Sequence, residues 1–521
     1  MNGVITTEEA QPGTGMQGRI SAWLNNRLLV VVVIILAGII YAQYRPFQQA
    51  EKGDRANWDY FAQVVARGGV PYRDVVNIKS PLSAYIGAAA IMVTRPFGVR
   101  DVDAIRLVCF AMLLLTAAMT FLVAYEFFGS RRIAFLSSLI LIGVNQFGRA
   151  NVAGIQPKIP MIIFGLITLW AIRKEHPFLA GLSGMLSALI WQPGLLFVGA
   201  AGLAFTNYLT RWRDRRLILL IAGAAVPLSI WLIYLWQAGA LRDFYLWTIH
   251  FNYSVYASVE ARSLKDFLGF LKRMLEVPFR QDRVYFVLAV LGFALVVIRE
   301  IRTAVEHGRR ELLRNAPHHS ILIAPAVYFV FCIVNVQGAA DLFPLVPLMA
   351  VFSSVFIIWL VDWNESLLRR ARPAYFRQVY AAAVYAIICV LVFTLSVADA
   401  FYYRSPRITL EKQDADVREI VGHLEPGDKV FVHGLTELLV LSRLENASRH
   451  FFLDRGKDVY LDQVEPGGFE GWFERLRAER PRIVALSRLN RVRRRKVFLD
   501  WVARDYVQKK GQVFTYYVRK D

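Results

Sequence analysis

The sequence is short of the features that build a soluble or disulfide-stapled protein. Cysteine occurs three times, as Cys109, Cys332 and Cys389, each within an apolar run. Exported disulfides are thereby excluded, and the thiols read as ordinary buried residues. The polar stretch past Tyr402 has no glycine-rich phosphate loop, metal-ligand spacing or nucleophile motif, and no cluster of His, Cys and carboxylates suggests a structural metal. No A-x-A type cleavage site accompanies the first apolar run, so that run reads as an uncleaved helix behind a disordered cytoplasmic tail, residues 1–26. What fills the chain instead is apolar: 56% of positions are hydrophobic and the mean hydropathy is +0.38. That is more than a soluble core can hide, so lipid is the solvent over most of the length.

Runs such as Leu28–Tyr41, Leu107–Phe127, Leu217–Trp236 and Tyr285–Ile298 are, with their flanks, long enough to cross a hydrocarbon core of roughly 30 Å as helices. The net charge of +20 then serves orientation rather than nucleic-acid binding. Basic residues gather in alternate loops, at 131–132, 173–174, 211–216, 299–314 and 369–377, which the positive-inside rule makes cytoplasmic. This predicts a polytopic α-helical membrane protein of a bacterial inner membrane, with a cytoplasmic N-terminus and about 11 transmembrane helices. The membrane domain covers 27–401 and a soluble periplasmic α/β domain covers 402–521. Two outer loops interrupt the body, at about 47–103 and about 237–283. Counting Pro81–Phe97 as an outer interfacial helix, not a crossing, keeps every later loop on the charge rule. Leu264–Leu275 has the pattern of a second interfacial helix, amphipathic with Lys265, Lys272 and Arg273 between its apolar residues. In the C-terminal domain, Lys429–Val432, Arg449–Leu453 and Arg482–Leu486 read as strands, and Val417–Leu424, Phe469–Glu479 and Arg493–Arg504 as helices.

The first outer loop carries Asn57-Trp58-Asp59-Tyr60-Phe61-Ala62, then Gly69-Val70-Pro71-Tyr72-Arg73-Asp74, then Lys79-Ser80-Pro81-Leu82, with Phe97-Gly98 and Arg106 beyond. An acidic residue after the first helix, a G-x-P-Y-R-D turn and a K-x-P-L helix start, in that order, resemble the GT-C superfamily. The match is closest to polyprenyl-phosphate-sugar-dependent transferases of the protein O-mannosyltransferase and lipid A aminoarabinose transferase type. Farther on, Gln337-Gly338-Ala339-Ala340-Asp341-Leu342-Phe343-Pro344 with Pro347 resembles an outer loop and P-x-x-P helix start of the same superfamily. The resemblance spans the first third by motif and the membrane body by topology. It implies a membrane glycosyltransferase, of the hexosyl- or pentosyltransferase class, that moves a sugar with inversion from a polyprenyl-phosphate-linked donor to a lipid, glycan or protein acceptor at the periplasmic face.

Residue by residue, the resemblance places Asp59 at the catalytic acidic position, where a carboxylate can take the acceptor's proton; alternatively, Asp59 caps a helix beginning at Tyr60. Lys79 matches a lysine that steadies the leaving lipid phosphate, or it snorkels at the interface. Arg149 and Lys158 are further candidates for the donor phosphate. Tyr72, Gln156 and Asp341 are candidate substrate contacts, Asp341 also being suited to cap the helix after it. Arg73 and Asp74 are expected to pair within their turn. Trp247, His250 and Tyr253 have the chemistry to stack on sugar rings, although interfaces collect aromatics anyway. The second outer loop departs from the family: Gln156 stands where many members have an aspartate, and an amide is neither a base nor an anionic metal ligand. No cofactor is indicated, and a divalent cation has no support in the sequence. Two other classes stay open, a non-catalytic glycolipid-binding scaffold on the same fold and, less favoured, a transporter or flippase.

Overall fold

The computed structural model describes residues 16–208, 210–211, 213–256, 263–368, 373–401 and 408–520. In lipid the backbone must satisfy its own polar groups, so the apolar runs fold as helices. Helices stand at each expected membrane position: Met16–Gln43, Asp101–Phe128, Arg131–Gly143 continued by Asn145–Asn151, Lys158–Arg173, Pro177–Ile190, Leu195–Phe205, Arg215–Gln237, Arg283–His307, Ala316–Val334, Val346–Leu367 and Ala374–Phe401. Fewer of them meet the length for a crossing. Seven helices are long and apolar enough, or eight if the pair Arg131–Gly143 and Asn145–Asn151, bent by 62°, is one span. The first helix begins at Met16, inside the stretch expected to be a tail; residues 1–15 of that tail lie outside the described residues.

Asp101–Phe128 and Val346–Leu367 form the interior of the bundle and bury most of their side chains. Arg215–Gln237, Arg283–His307 and Ala374–Phe401 instead turn Ile230, Val290 and Ile387 outward, as helices do where lipid is the neighbour. Small residues bring Pro177–Ile190 onto Arg215–Gln237: a Cβ on Gly181 or Gly223 would stand 2.0 Å from the carbonyl oxygen of Leu220 or Phe178. The helix Leu82–Thr94 packs against Asp54–Ala66 and Asp101–Phe128. At about 20 Å it is too short to cross a membrane alone. Leu264–Glu276 is the expected amphipathic helix, started by a capping box between Ser263 and Asp266.

The C-terminal domain holds a four-stranded sheet in the order β1-β2-β4-β3, with β1 Val430–His433, β2 Ile483–Leu486, β3 Tyr506–Lys510 and β4 Thr515–Arg519. β1 and β2 run parallel, and β4 is antiparallel to both β2 and β3. Helices Leu410–Val421, Gly468–Ala478 and Arg495–Asp505 match the expected ones within a few residues at most ends. The expected strand Arg449–Leu453 is not a strand. Its backbone is used elsewhere: the Arg449 carbonyl accepts from the Val76 N–H at 3.0 Å and the Phe451 carbonyl from the Gly434 N–H at 3.0 Å.

That use of Arg449 is one of many ties that seat the domain on the first outer loop. The Gln413 amide exchanges two 2.8 Å hydrogen bonds with the Glu51 backbone. The Gly53 N–H donates to Glu437, the Gln63 amide to the Val440 carbonyl, and the Thr436 hydroxyl to Asn57. The loop after the first helix and the C-terminal domain are therefore at the same end of the bundle.

Candidate functional site

The loop leaving the first helix is held by a buried ion pair. Arg106 and Glu51, both fully buried, meet at 2.5 Å, and the guanidinium also donates to the Pro46 and Gln49 carbonyls at 2.9 and 2.7 Å. The next helix is Asp54–Ala66, six residues earlier at its start than Tyr60. Two carboxylates lie on it, Asp54 in the first turn and Asp59 within it. Five residues of helix rotate a side chain by about 500°, so the two point about 140° apart.

Asp59, the expected base, faces inward. It is fully buried, its Oδ1 accepts the Ile155 N–H at 3.0 Å, and its Oδ2 has no partner among the described residues. Gly154 packs over it so closely that a Cβ there would lie 3.0 Å from Oδ2. Burial and the nearby Glu51 push its pKa well above the usual carboxylate range. Asp59 lies inside the helix and so does not cap it; through the Ile155 N–H it pins the second outer loop to the first.

Asp54 faces the other way, into a cavity of about 100 Å³ between the first outer loop and the C-terminal domain. The cavity is walled by Asp54, Asn57 and Lys79 on one side and by Phe452, Arg455, Lys457, Arg488 and Arg491 on the other, with Tyr256 and Gln337 between them. Asp54 is exposed to this space. Burial pushes its pKa up, but Lys79, Lys158, Arg488 and Arg455 outweigh that and hold it below the usual carboxylate value. Burial and Lys158 bring the Lys79 ammonium down to about 8, against the pull of Asp54 and Asp341.

Several expected residues do converge here. Lys79 and Lys158 lie over the Trp191 ring, 5.5 and 5.0 Å from its centre. Just behind the cavity wall Lys158 pairs with Asp341 at 3.5 Å, while the other Asp341 oxygen accepts the Gln337 and Gly338 N–H groups at 2.9 and 3.1 Å. Asp341 thus both caps its turn and joins the site. Tyr72 is fully buried in a left-handed conformation, φ 69°, and its hydroxyl donates to the Lys79 carbonyl at 3.0 Å. It positions Lys79 and is closed to substrate. Arg73 and Asp74 form the expected pair, bidentate at 2.9 Å.

Others stand apart. Arg149 is exposed, donates to Gln146 at 3.3 Å, and does not line the cavity. The Gln156 side-chain oxygen is buried without a hydrogen-bond partner among the described residues and is also outside it. Trp247 is fully buried and His250 bonds the Tyr460 hydroxyl at 2.8 Å, so both serve the contact with the C-terminal domain. Tyr253 is exposed. A larger cavity of about 510 Å³ lies at the opposite end of the bundle among Arg132, Arg173, Arg299 and His318, far from these loops.

The sequence reading missed Asp54 and the cationic contribution of the C-terminal domain. Asp54 follows Gly53, whose φ is 65°, and a Gly-Asp pair is an ordinary helix start. The cationic side chains of the domain lie about four hundred residues away in sequence, with no motif around them. Among the described residues no three His, Cys, Asp or Glu side chains converge as metal ligands. Asp54 sits among cations and Asp341 is engaged by Lys158 and two N–H groups, a donor set that does not suit a divalent cation.

No family model and no curated protein sequence matches the chain significantly. Solved structures do. ArnT from Cupriavidus metallidurans bound to undecaprenyl phosphate aligns at a TM-score of 0.56 with 15% identity, over 95% of this chain and 98% of that one. The same protein in the apo state aligns at 0.57 with 14% identity, over 96% and 98%. The archaeal oligosaccharyltransferase AglB from Archaeoglobus fulgidus, in complex with an inhibitory peptide and a dolichol-phosphate, aligns at 0.51 with 12% identity, over 94% and 74%. The chain has the GT-C fold.

Proposed function

We propose that this chain is an inverting glycosyltransferase that moves a hexosyl or pentosyl group from a polyprenyl-phosphate-linked donor to a lipid, glycan or protein acceptor. The reaction takes place on the outer face of a bacterial inner membrane, the side that carries the C-terminal domain. The observation that carries this reading is that Asp54 and Lys79 line one cavity in a GT-C fold, with the Lys158–Asp341 pair behind its wall and within electrostatic reach of both. Binding of polyprenyl phosphates by ArnT and AglB supports the donor class.

Lys79 and Lys158 hold the donor phosphate and neutralise the charge that grows on it as the bond from the anomeric carbon to phosphate oxygen breaks. The acceptor oxygen attacks that carbon from the opposite face and its proton passes to Asp54, while the bonding pair leaves with the lipid phosphate. In the empty cavity four cations make Asp54 a weak base. A bound phosphate compensates Lys79 and Lys158 and raises the proton affinity of Asp54, so the base is strengthened once donor is in place.

The test is a pair of substitutions on one helix. Asp54→Asn removes the base and is expected to abolish transfer while undecaprenyl phosphate still binds. Asp59→Asn replaces a buried carboxyl that leans to its protonated form, keeps the acceptor for the Ile155 N–H, and is expected to retain transfer. The readout is mass spectrometry of glycolipids and envelope glycans from a deletion strain complemented with each variant. Full restoration by Asp54→Asn would remove Asp54 from the mechanism.

A further inference from the structure

The cations of the cavity are more numerous than one donor phosphate needs. Lys457 is matched by Asp454 at 3.0 Å, and Arg455 by Asp454 at 3.5 Å and by Tyr256 and Gln337. Lys158 is matched by Asp341. Lys79, Arg488 and Arg491 have no ion pair and no side-chain hydrogen bond among the described residues; Asp54 shares the cavity with them, and Glu437 is also within electrostatic reach of Arg488. A sugar-linked lipid phosphate is a diester with a single negative charge, which Lys79 with Lys158 can hold. Two guanidinium groups on the C-terminal side of the cavity, those of Arg488 and Arg491, remain without a hydrogen-bonded anion among the described residues.

Arg488 is built to stay there. Its backbone is left-handed, φ 56°, a conformation that costs a non-glycine residue about 1 kcal/mol or more. Its guanidinium lies over the Phe452 ring at 5.7 Å. One terminal nitrogen reaches the chain beside Asp54, 3.3 Å from where a Cβ of Gly53 would be. One helical turn later Arg491 opens onto the same space, at the end of the short 3-10 helix Leu489–Arg491. A strained backbone that holds a stacked, unmatched arginine against a carboxylate-bearing loop is spending stability on position.

We infer that Arg488 and Arg491 form a second anion subsite, facing the Lys79 site across the cavity, and that the substrates of this protein carry a negative group in addition to the donor lipid phosphate. Arginine suits this role because its planar fork pairs bidentately with phosphate or carboxylate. The same charge disfavours a cationic amino sugar. The inference rests on the donor reading above and adds the chemical class of the substrate. The second anion has two sources, a further phosphate on the lipid or an acidic group on a separate sugar.

The test uses the purified full-length protein in detergent and four probes. Undecaprenyl diphosphate is compared with undecaprenyl phosphate, and glucose 6-phosphate with glucose on protein already saturated with undecaprenyl phosphate. At least one anionic member is expected to bind about tenfold or more tighter than its partner, as one charge-assisted contact yields. Which pair shows the gain identifies the source. Arg488→Ala with Arg491→Ala should erase the gain and leave undecaprenyl phosphate affinity unchanged, and Arg488→Lys should restore part of it. Equal affinities within both pairs, or a gain that survives in the double variant, would overturn the subsite. Failure of undecaprenyl phosphate itself to bind the wild-type protein would instead overturn the donor reading on which it rests.

Discussion

Lys79→Met at neutral pH should make the unliganded protein more stable and unable to bind donor. The ammonium is brought down to about 8 from an ordinary 10.5, first by burial and then by Lys158. Between those values the folded protein has released a proton that the unfolded chain keeps, so unfolding free energy rises as pH climbs through this window. Read in reverse, holding Lys79 charged at pH 7 costs about 3 kcal/mol. Methionine keeps the length of the stem and removes that cost, so the thermal midpoint at pH 7 should rise and the stability gained by the wild type between pH 8 and 10.5 should disappear. Undecaprenyl phosphate should raise the wild-type midpoint by mass action and leave that of the variant unmoved. Differential scanning fluorimetry in detergent, across pH and with and without lipid, measures all three effects. A lower midpoint for Lys79→Met at pH 7, or an undiminished response to undecaprenyl phosphate, would refute the assignment of Lys79 as a destabilising phosphate ligand.

Other consequences are testable in the same preparation. Glu51→Gln leaves Arg106 buried without its counter-charge and should cost about 3–5 kcal/mol, seen as a large drop in thermal midpoint. Gly154→Ala places a Cβ 2.9 Å from the Arg55 Cβ at a φ of 141° and should destabilise by about 1–3 kcal/mol, whereas Gly199→Ala, with open space around it, should not. Glu465 is held down to about 2: burial pushes its pKa up, but His450 and Arg449 outweigh that. Its contribution is complete above pH 4.5 and fades as pH falls toward 2, so Glu465→Gln should flatten acid unfolding in that window by circular dichroism.

Much of the architecture was legible before any coordinates. The apolar runs became helices, the Leu264–Glu276 amphipathic helix appeared with its Ser263 cap, and the C-terminal domain proved to be α/β. The hairpin of β3 and β4 went unseen because Tyr506–Lys510 is polar on most positions, with only Tyr506 buried, and lacks an alternating apolar face. Among the site residues, Lys79 lines the cavity and the Lys158–Asp341 pair adjoins it. Asp59 does not, because motif spacing cannot say which face of a helix looks into a cavity.

The sequence by itself determined the solvent and the elements, since both follow from local quantities: the hydropathy of about twenty consecutive residues, the sign of charge in the loops, and capping at helix ends. Only the tertiary structure decided which carboxylate meets the lysines. Asp54 and Asp59 share a helix, and the rotation between them sends one into the cavity and the other beneath Gly154. It also decided that Asp341, from another outer loop, stands beside Lys158 where the second loop offers only Gln156. The arginines opposite them arrive with a domain held in place by hydrogen bonds spanning more than three hundred and fifty residues of sequence, and contacts of that range leave no local pattern to read.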